Sequence, residues 1–105
     1  MNIYKEMQLV CAKLGKAELL AGLAEEAAEL AQAALKYRRA IDGTNPTPKS
    51  EAEALAALYE EIADVTLYLG FLGLIADVAF YSKEPADFTV DKLKRWMARL
   101  EEVAS

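Results

Sequence analysis

Apolar residues recur at helical spacing through nearly the whole chain, and no run alternates as a half-buried strand would. Ile3, Met7, Val10 and Leu14 line one side of a first segment, Met1 to Leu14, and Gly15 stands where a helix commonly ends. A second helix is predicted from about Ala17 to Ala40. It is rich in the strong helix formers Ala, Leu, Glu and Lys, and it ends on Lys36-Tyr37-Arg38-Arg39, which suits the negative end of the helix dipole. Asp42 to Pro48, with one glycine and two prolines, reads as a loop. Ser50 followed by Glu53 is a capping box that opens a third helix. That helix carries Leu55, Leu58, Ile62, Val65, Leu69 and Leu72 and extends as far as Phe80, with Gly70 and Gly73 allowing close packing or marking a kink. Lys83 to Asp87 breaks the pattern. Asp87 or Thr89 caps a last helix, in which Leu93, Trp96, Met97 and Leu100 oppose Lys92, Lys94, Arg95 and Arg99. The expected fold is all-α: one domain over residues 1–105, built as a small bundle of four to five helices.

From Val65 to Phe80 the third segment is apolar on almost every side, whereas a surface helix of a small monomer shows one solvated face. The stretch falls short of the roughly 20 residues a membrane span requires, so burial against both its own core and a second copy is the expectation. The chain is therefore read as a homodimer or dimer of dimers, not a membrane protein. With 105 residues, one core of modest size is available. Twelve basic against seventeen acidic residues give a formal charge of -5, which argues against an extended nucleic-acid surface. The single Cys11 forms no internal disulfide, and no targeting segment is recognisable at the N-terminus, so a cytoplasmic location is expected.

Two acidic clusters interrupt these apolar helices: Glu25-Glu26-Ala27-Ala28-Glu29 and Glu61-Ile62-Ala63-Asp64. Helical geometry stacks Glu25 over Glu29, leaves Glu26 on their flank, and sets Glu61 one turn from Asp64. Like charges at these spacings cost a few tenths of a kcal/mol per pair, a penalty that a divalent cation removes. A chain with no His and one Cys offers oxygen ligands, which suit Mg²⁺, Mn²⁺ or Ca²⁺ and exclude a structural zinc site. On the second helix Gln32, Lys36 and Arg39 share the stripe of Glu25 and Glu29, while Leu20, Ala27, Leu30 and Ala34 gather on the opposite side. The charged stripe is either solvated or faces a cleft. In a cleft, the acids hold cations while Lys36 and Arg39 meet the anionic groups of a phosphate-bearing substrate. Lys92 and Arg95, one turn apart on the last helix, form a second basic row that a partner copy is able to contribute.

Leu23 to Gln32, with E-E-x-x-E, and Tyr59 to Leu69, with E-x-x-D, resemble the all-alpha nucleoside triphosphate pyrophosphohydrolases of the MazG-like superfamily. The resemblance runs from about Leu20 to Leu72 and is weaker at the last helix; the connection between the two blocks is longer here than in compact members. It implies an oligomeric helical bundle that binds magnesium and hydrolyses a nucleoside triphosphate to the monophosphate and pyrophosphate. By motif match, Glu25, Glu26, Glu29, Glu61 and Asp64 take the metal-binding positions, and a deoxynucleotide is the substrate class it suggests.

The residue types suit that chemistry on their own terms. Attack on the α-phosphorus requires a neutralised triphosphate, an activated water and a stabilised leaving pyrophosphate, needs that two cations about 3.5 to 4 Å apart can serve. Glu25, Glu29, Glu61 and Asp64 are the first ligand candidates. Glu26 is either a ligand to a further ion or the catalytic group that orients and deprotonates water. Asp77 is an odd residue in an apolar stretch and lies about 140° around the helix from Asp64, outside the first set of ligands. A different class of answer is a helical interaction or regulatory module that uses the acids as a docking surface and needs no ion.

Overall fold

A computed structural model of the chain describes residues 2–43, 49–77, 81–82 and 86–104. Among these residues four helices carry the fold: α1 (Ile3–Lys13), α2 (Lys16–Asp42), α3 (Glu51–Phe71) and α4 (Ala86–Ala104). Between α3 and α4 lies a short two-stranded ribbon, β1 (Ile75–Asp77) paired antiparallel with β2 (Tyr81–Ser82), with Ile75 opposite Ser82 and Asp77 opposite Tyr81. The all-α expectation holds for the described residues, where the main packing is α2 on α3 and α1 on α3.

Each helix starts and stops for a local reason. The side chain of Asn2 accepts hydrogen bonds from the Tyr4 and Lys5 amides, capping α1. Gly15 is the N-cap of α2, and Gly43 ends that helix in the left-handed conformation at φ 65°. At Ser50 the capping box is present as the sequence predicts: the Glu53 amide donates to Ser50 Oγ, and Ser50 N–H donates back to Glu53 Oε1.

Three expectations are corrected at the C-terminal side. The third helix does not run to Phe80; it stops at Phe71. Gly73 adopts φ 68°, its amide donates to the Gly70 carbonyl, and the Leu74 amide donates to the Leu69 carbonyl. This is a Schellman stop, and it makes Gly73 a terminator rather than a kink. Beyond it Ile75 enters a strand, which its β-branched side chain favours, so the apolar run that starts at Val65 is helix to Phe71 and ribbon at Ile75–Asp77. Asp87 and Thr89 do not cap α4, since the helix already includes Ala86 and both residues lie inside it. The loop expected at Asn45–Pro48 and the break at Lys83–Pro85 lie outside the described residues, as does the side chain of Asp77.

The core sits between α2 and α3, which run antiparallel: Gly22 meets Tyr68, Glu26 meets Glu61 and Asp64, and Ala33 and Ala54 face one cavity. Leu19, Ala33 and Ala54 are its buried apolar residues, and Thr66 is buried with its hydroxyl donating to the Ile62 carbonyl at 2.7 Å. On α2 the packed stripe is therefore Leu19, Leu23, Leu30 and Ala33. Of the side chains expected opposite the acids, Leu30 is half-buried, but Leu20, Ala27 and Ala34 stay exposed. The helix is rotated towards α3 because Gly22 leaves room for the Tyr68 ring. α1 leans on α3, where the Cys11 thiol donates to the Phe71 carbonyl at 3.3 Å. Among the described residues α4 makes no extended contact with another helix.

Candidate metal centre

The rotation of α2 decides which acids meet. Glu26 shares the packed stripe with Leu19, Leu23 and Leu30, and Glu61 lies on the stripe of α3 between Ala54 and Tyr68. Asp64 stands one turn further along α3. One carboxylate oxygen from each of Glu26, Glu61 and Asp64 lies within 4.8 Å of the others. Glu26 and Glu61 are half-buried, and Asp64 is exposed. Three carboxylates thus converge where the two helices pack, from the two motifs that the sequence singles out.

The electrostatics are those of crowding. Partial burial raises the Glu26 carboxyl above its ordinary 4.5; the charges of Asp64 and Glu61 add to the rise, as do a hydrogen bond with Glu61 and the charge of Glu29. Glu61 Oε2 is buried and has no hydrogen-bond partner among the described residues. An anionic oxygen removed from water without a partner is costly, and no described basic side chain supplies one.

These observations test whether a divalent cation fits. The donors are all carboxylate oxygens, the orphaned oxygen belongs to a member of the cluster, and the set mixes two half-buried groups with one exposed group. Mg²⁺ is bound in this way, by a few carboxylates with water and substrate phosphates completing its shell. The residues fit.

Beside the triad a cavity of about 180 Å³ opens between α2 and α3. Glu61 is common to both, and Glu29, Gln32, Lys36, Lys49 and Glu60 also line the cavity. Lys36, one of the phosphate-binding candidates of the sequence, is in this wall. Glu29 lies near enough to raise the Glu26 pKa and forms the cavity wall, while Glu25 is exposed and outside the converged group. Arg39 is half-buried one turn beyond Lys36 and does not line the cavity; its neighbour Arg38 pairs with Asp42 at 3.6 Å. Lys92 and Arg95 are exposed on α4, away from this wall.

Lys49 and Glu60 were not among the residues that the sequence singled out. Lys49 precedes the N-cap Ser50 and so belongs to no helical stripe. The one available signal was its place next to a capping box, where the chain turns back towards the acids. Among the described residues no helix is long and apolar enough to cross a membrane. Compared with models of protein families, with characterised proteins and with solved structures, the chain matches none.

Proposed function

We propose that this chain is a magnesium-dependent nucleoside triphosphate pyrophosphohydrolase. The observation that carries the reading is the convergence of Glu26, Glu61 and Asp64, with Glu61 Oε2 buried and without a hydrogen-bond partner among the described residues, beside a cavity with two lysines in its wall. Glu26, Glu61 and Asp64 would hold a divalent ion, Mg²⁺ or Mn²⁺, with Glu29 and Glu25 next to them on α2. Such an ion supplies charge neutralisation at the triphosphate and polarises the phosphorus under attack.

The chain's own residues do the rest. Lys36 and Lys49, both in the cavity wall, give point charges for phosphate oxygens. Glu26, the member of the triad on α2, would orient the attacking water and accept its proton. The water oxygen bonds to the α-phosphorus as the bond to the bridging oxygen breaks. That electron pair leaves with pyrophosphate, and the proton passes through Glu26 to solvent. The products are a nucleoside monophosphate and pyrophosphate. A deoxynucleotide as substrate, assembly as a homodimer or homotetramer and a cytoplasmic location belong to the same reading and rest on the resemblance of the E-E-x-x-E and E-x-x-D blocks.

The test is pyrophosphate release from a panel of canonical and modified nucleoside triphosphates in magnesium, with Glu61→Gln as control. Turnover that E61Q abolishes supports the reading. No turnover with any member of the panel, together with no change in melting temperature on adding millimolar Mg²⁺ or Mn²⁺, overturns it in favour of a helical interaction module.

A further inference from the structure

Two apolar surfaces of this chain lie uncovered, and they are complementary. On α4, Leu93, Trp96, Met97, Leu100 and Val103 fall within a stripe about 120° wide. Trp96 is 60% exposed and Leu100 is 64% exposed. The Arg99 guanidinium, 5.8 Å above the Trp96 ring, belongs to the same helix. On α2, the side turned away from α3 carries Leu20, Ala24, Ala27, Ala31, Ala34 and Leu35, all exposed and none of them charged. This is a shelf of alanines between two leucines, about 22 Å long at 1.5 Å per residue. Large side chains on one helix and small ones on the other are the shapes that interdigitate.

The surface area says how much is left to cover. A folded monomer of 11.5 kDa exposes about 5,800 Å², and this chain exposes 8119 Å², an excess of roughly 2,300 Å². Its radius of gyration is 17.2 Å, against about 13 Å for a compact chain of this length. Each partner of an obligate homodimer buries about 1,000 to 2,500 Å². The excess is the size of one such interface.

We infer that α4 of one copy packs its Leu93–Trp96–Leu100 face onto the Leu20–Ala31–Leu35 shelf of α2 in a second copy, and the reverse, so that the dimer forms by exchange of its C-terminal helices. An α2–α2 contact would bring alanine against alanine and leave Trp96 in water. An α4–α4 contact would leave the α2 shelf bare. Reciprocal exchange covers both surfaces at once. Because the shelf lies on the side of α2 away from Glu26, the exchange leaves the acidic cluster open, and the inference does not depend on the chemistry proposed for that cluster.

The experiment measures assembly and the environment of Trp96, the chain's one tryptophan. Sedimentation of the full chain at micromolar concentration is expected to give a dimer with Trp96 shielded from iodide quenching. Ala31→Glu puts a charge in the middle of the α2 shelf, at a position exposed in the single chain. It is expected to weaken the dimer about a hundredfold or more and to expose Trp96, which lies on a different helix. Leu100→Glu should do the same from the other side. Should either variant fail to fold, dilution of the unaltered chain serves instead: Trp96 should become quenchable over the same concentration range in which the dimer dissociates. A monomer at all concentrations, whether Trp96 is exposed or shielded by its own chain, overturns the inference. So does a dimer that survives A31E with Trp96 unchanged.

Discussion

Gly22 on α2 lies directly against the ring of Tyr68 on α3: a Cβ at Gly22 would stand 2.6 Å from the Tyr68 hydroxyl and closer still to the ring carbons. Gly22 is one turn before Glu26, and Tyr68 is one turn after Asp64. The close approach therefore sets the separation of the two helices where the three carboxylates converge. Gly22→Ala should raise helix propensity by about 1 kcal/mol and lose about 1 to 3 kcal/mol to overpacking, a net loss in most of that range. In a Tyr68→Ala background the same change should turn neutral or stabilising. Urea unfolding of the two single variants and the double variant measures the coupling, and equal effects of G22A in both backgrounds would show that the contact is absent.

Glu61→Gln keeps size and nearly all helix propensity while removing the charge on the orphaned oxygen. Without metal the variant should be as stable as the parent or more so, because a like-charge repulsion inside the triad disappears. With millimolar magnesium the parent should gain melting temperature and the variant should not. Loss of pyrophosphate release should accompany that loss of response. A variant that still responds fully to magnesium would remove Glu61 from the ligand set.

The pH dependence of the metal-free protein follows from Glu26. Its folded carboxyl titrates above the ordinary 4.5, so between that value and the raised one the folded state holds more protons than the unfolded state. Stability should then fall as pH rises through this window and should recover on mild acidification. Glu26→Gln should flatten that part of the profile. Thermal melts of both proteins in chelator, from pH 4 to pH 8 in steps of about one unit, test it; an identical slope in the variant assigns the effect to other groups.

The two lysines in the cavity wall should act on substrate binding and not on folding. Lys36→Ala and Lys49→Ala each remove an exposed charge, so stability should change by no more than about 0.5 kcal/mol. Each should raise KM for the triphosphate, with the double variant worse than either. Lys92→Ala and Arg95→Ala, which lie on α4 away from the cavity, should leave KM unchanged. If all four substitutions raise KM equally, a general electrostatic field rather than this cavity attracts the substrate.

By itself, the sequence determined what is local. Helical period, the Ser50–Glu53 capping box and the two acidic motifs depend on neighbours within a turn or two; α2 has about the expected limits and α3 the expected start, though α3 ends earlier than the periodicity suggests. Gly73 illustrates the edge of that legibility. Its apolar neighbours fit a continuing helix as well as a stop, and the outcome depends on the hydrogen bonds of Gly73 and Leu74 back to Gly70 and Leu69. The rotation of α2 was decided only in three dimensions. A wheel drawn from Glu25 gives an alanine-rich side opposite the acids, and hydrophobic pattern alone assigns that side to the core. Because Gly22 lets Tyr68 in, α2 instead turns Glu26 towards Glu61 and Asp64 and leaves the alanine shelf outside. Lys49 reached the cavity by the same route: its position depends on how α3 docks against α2, a contact between residues far apart in sequence that no local periodicity encodes.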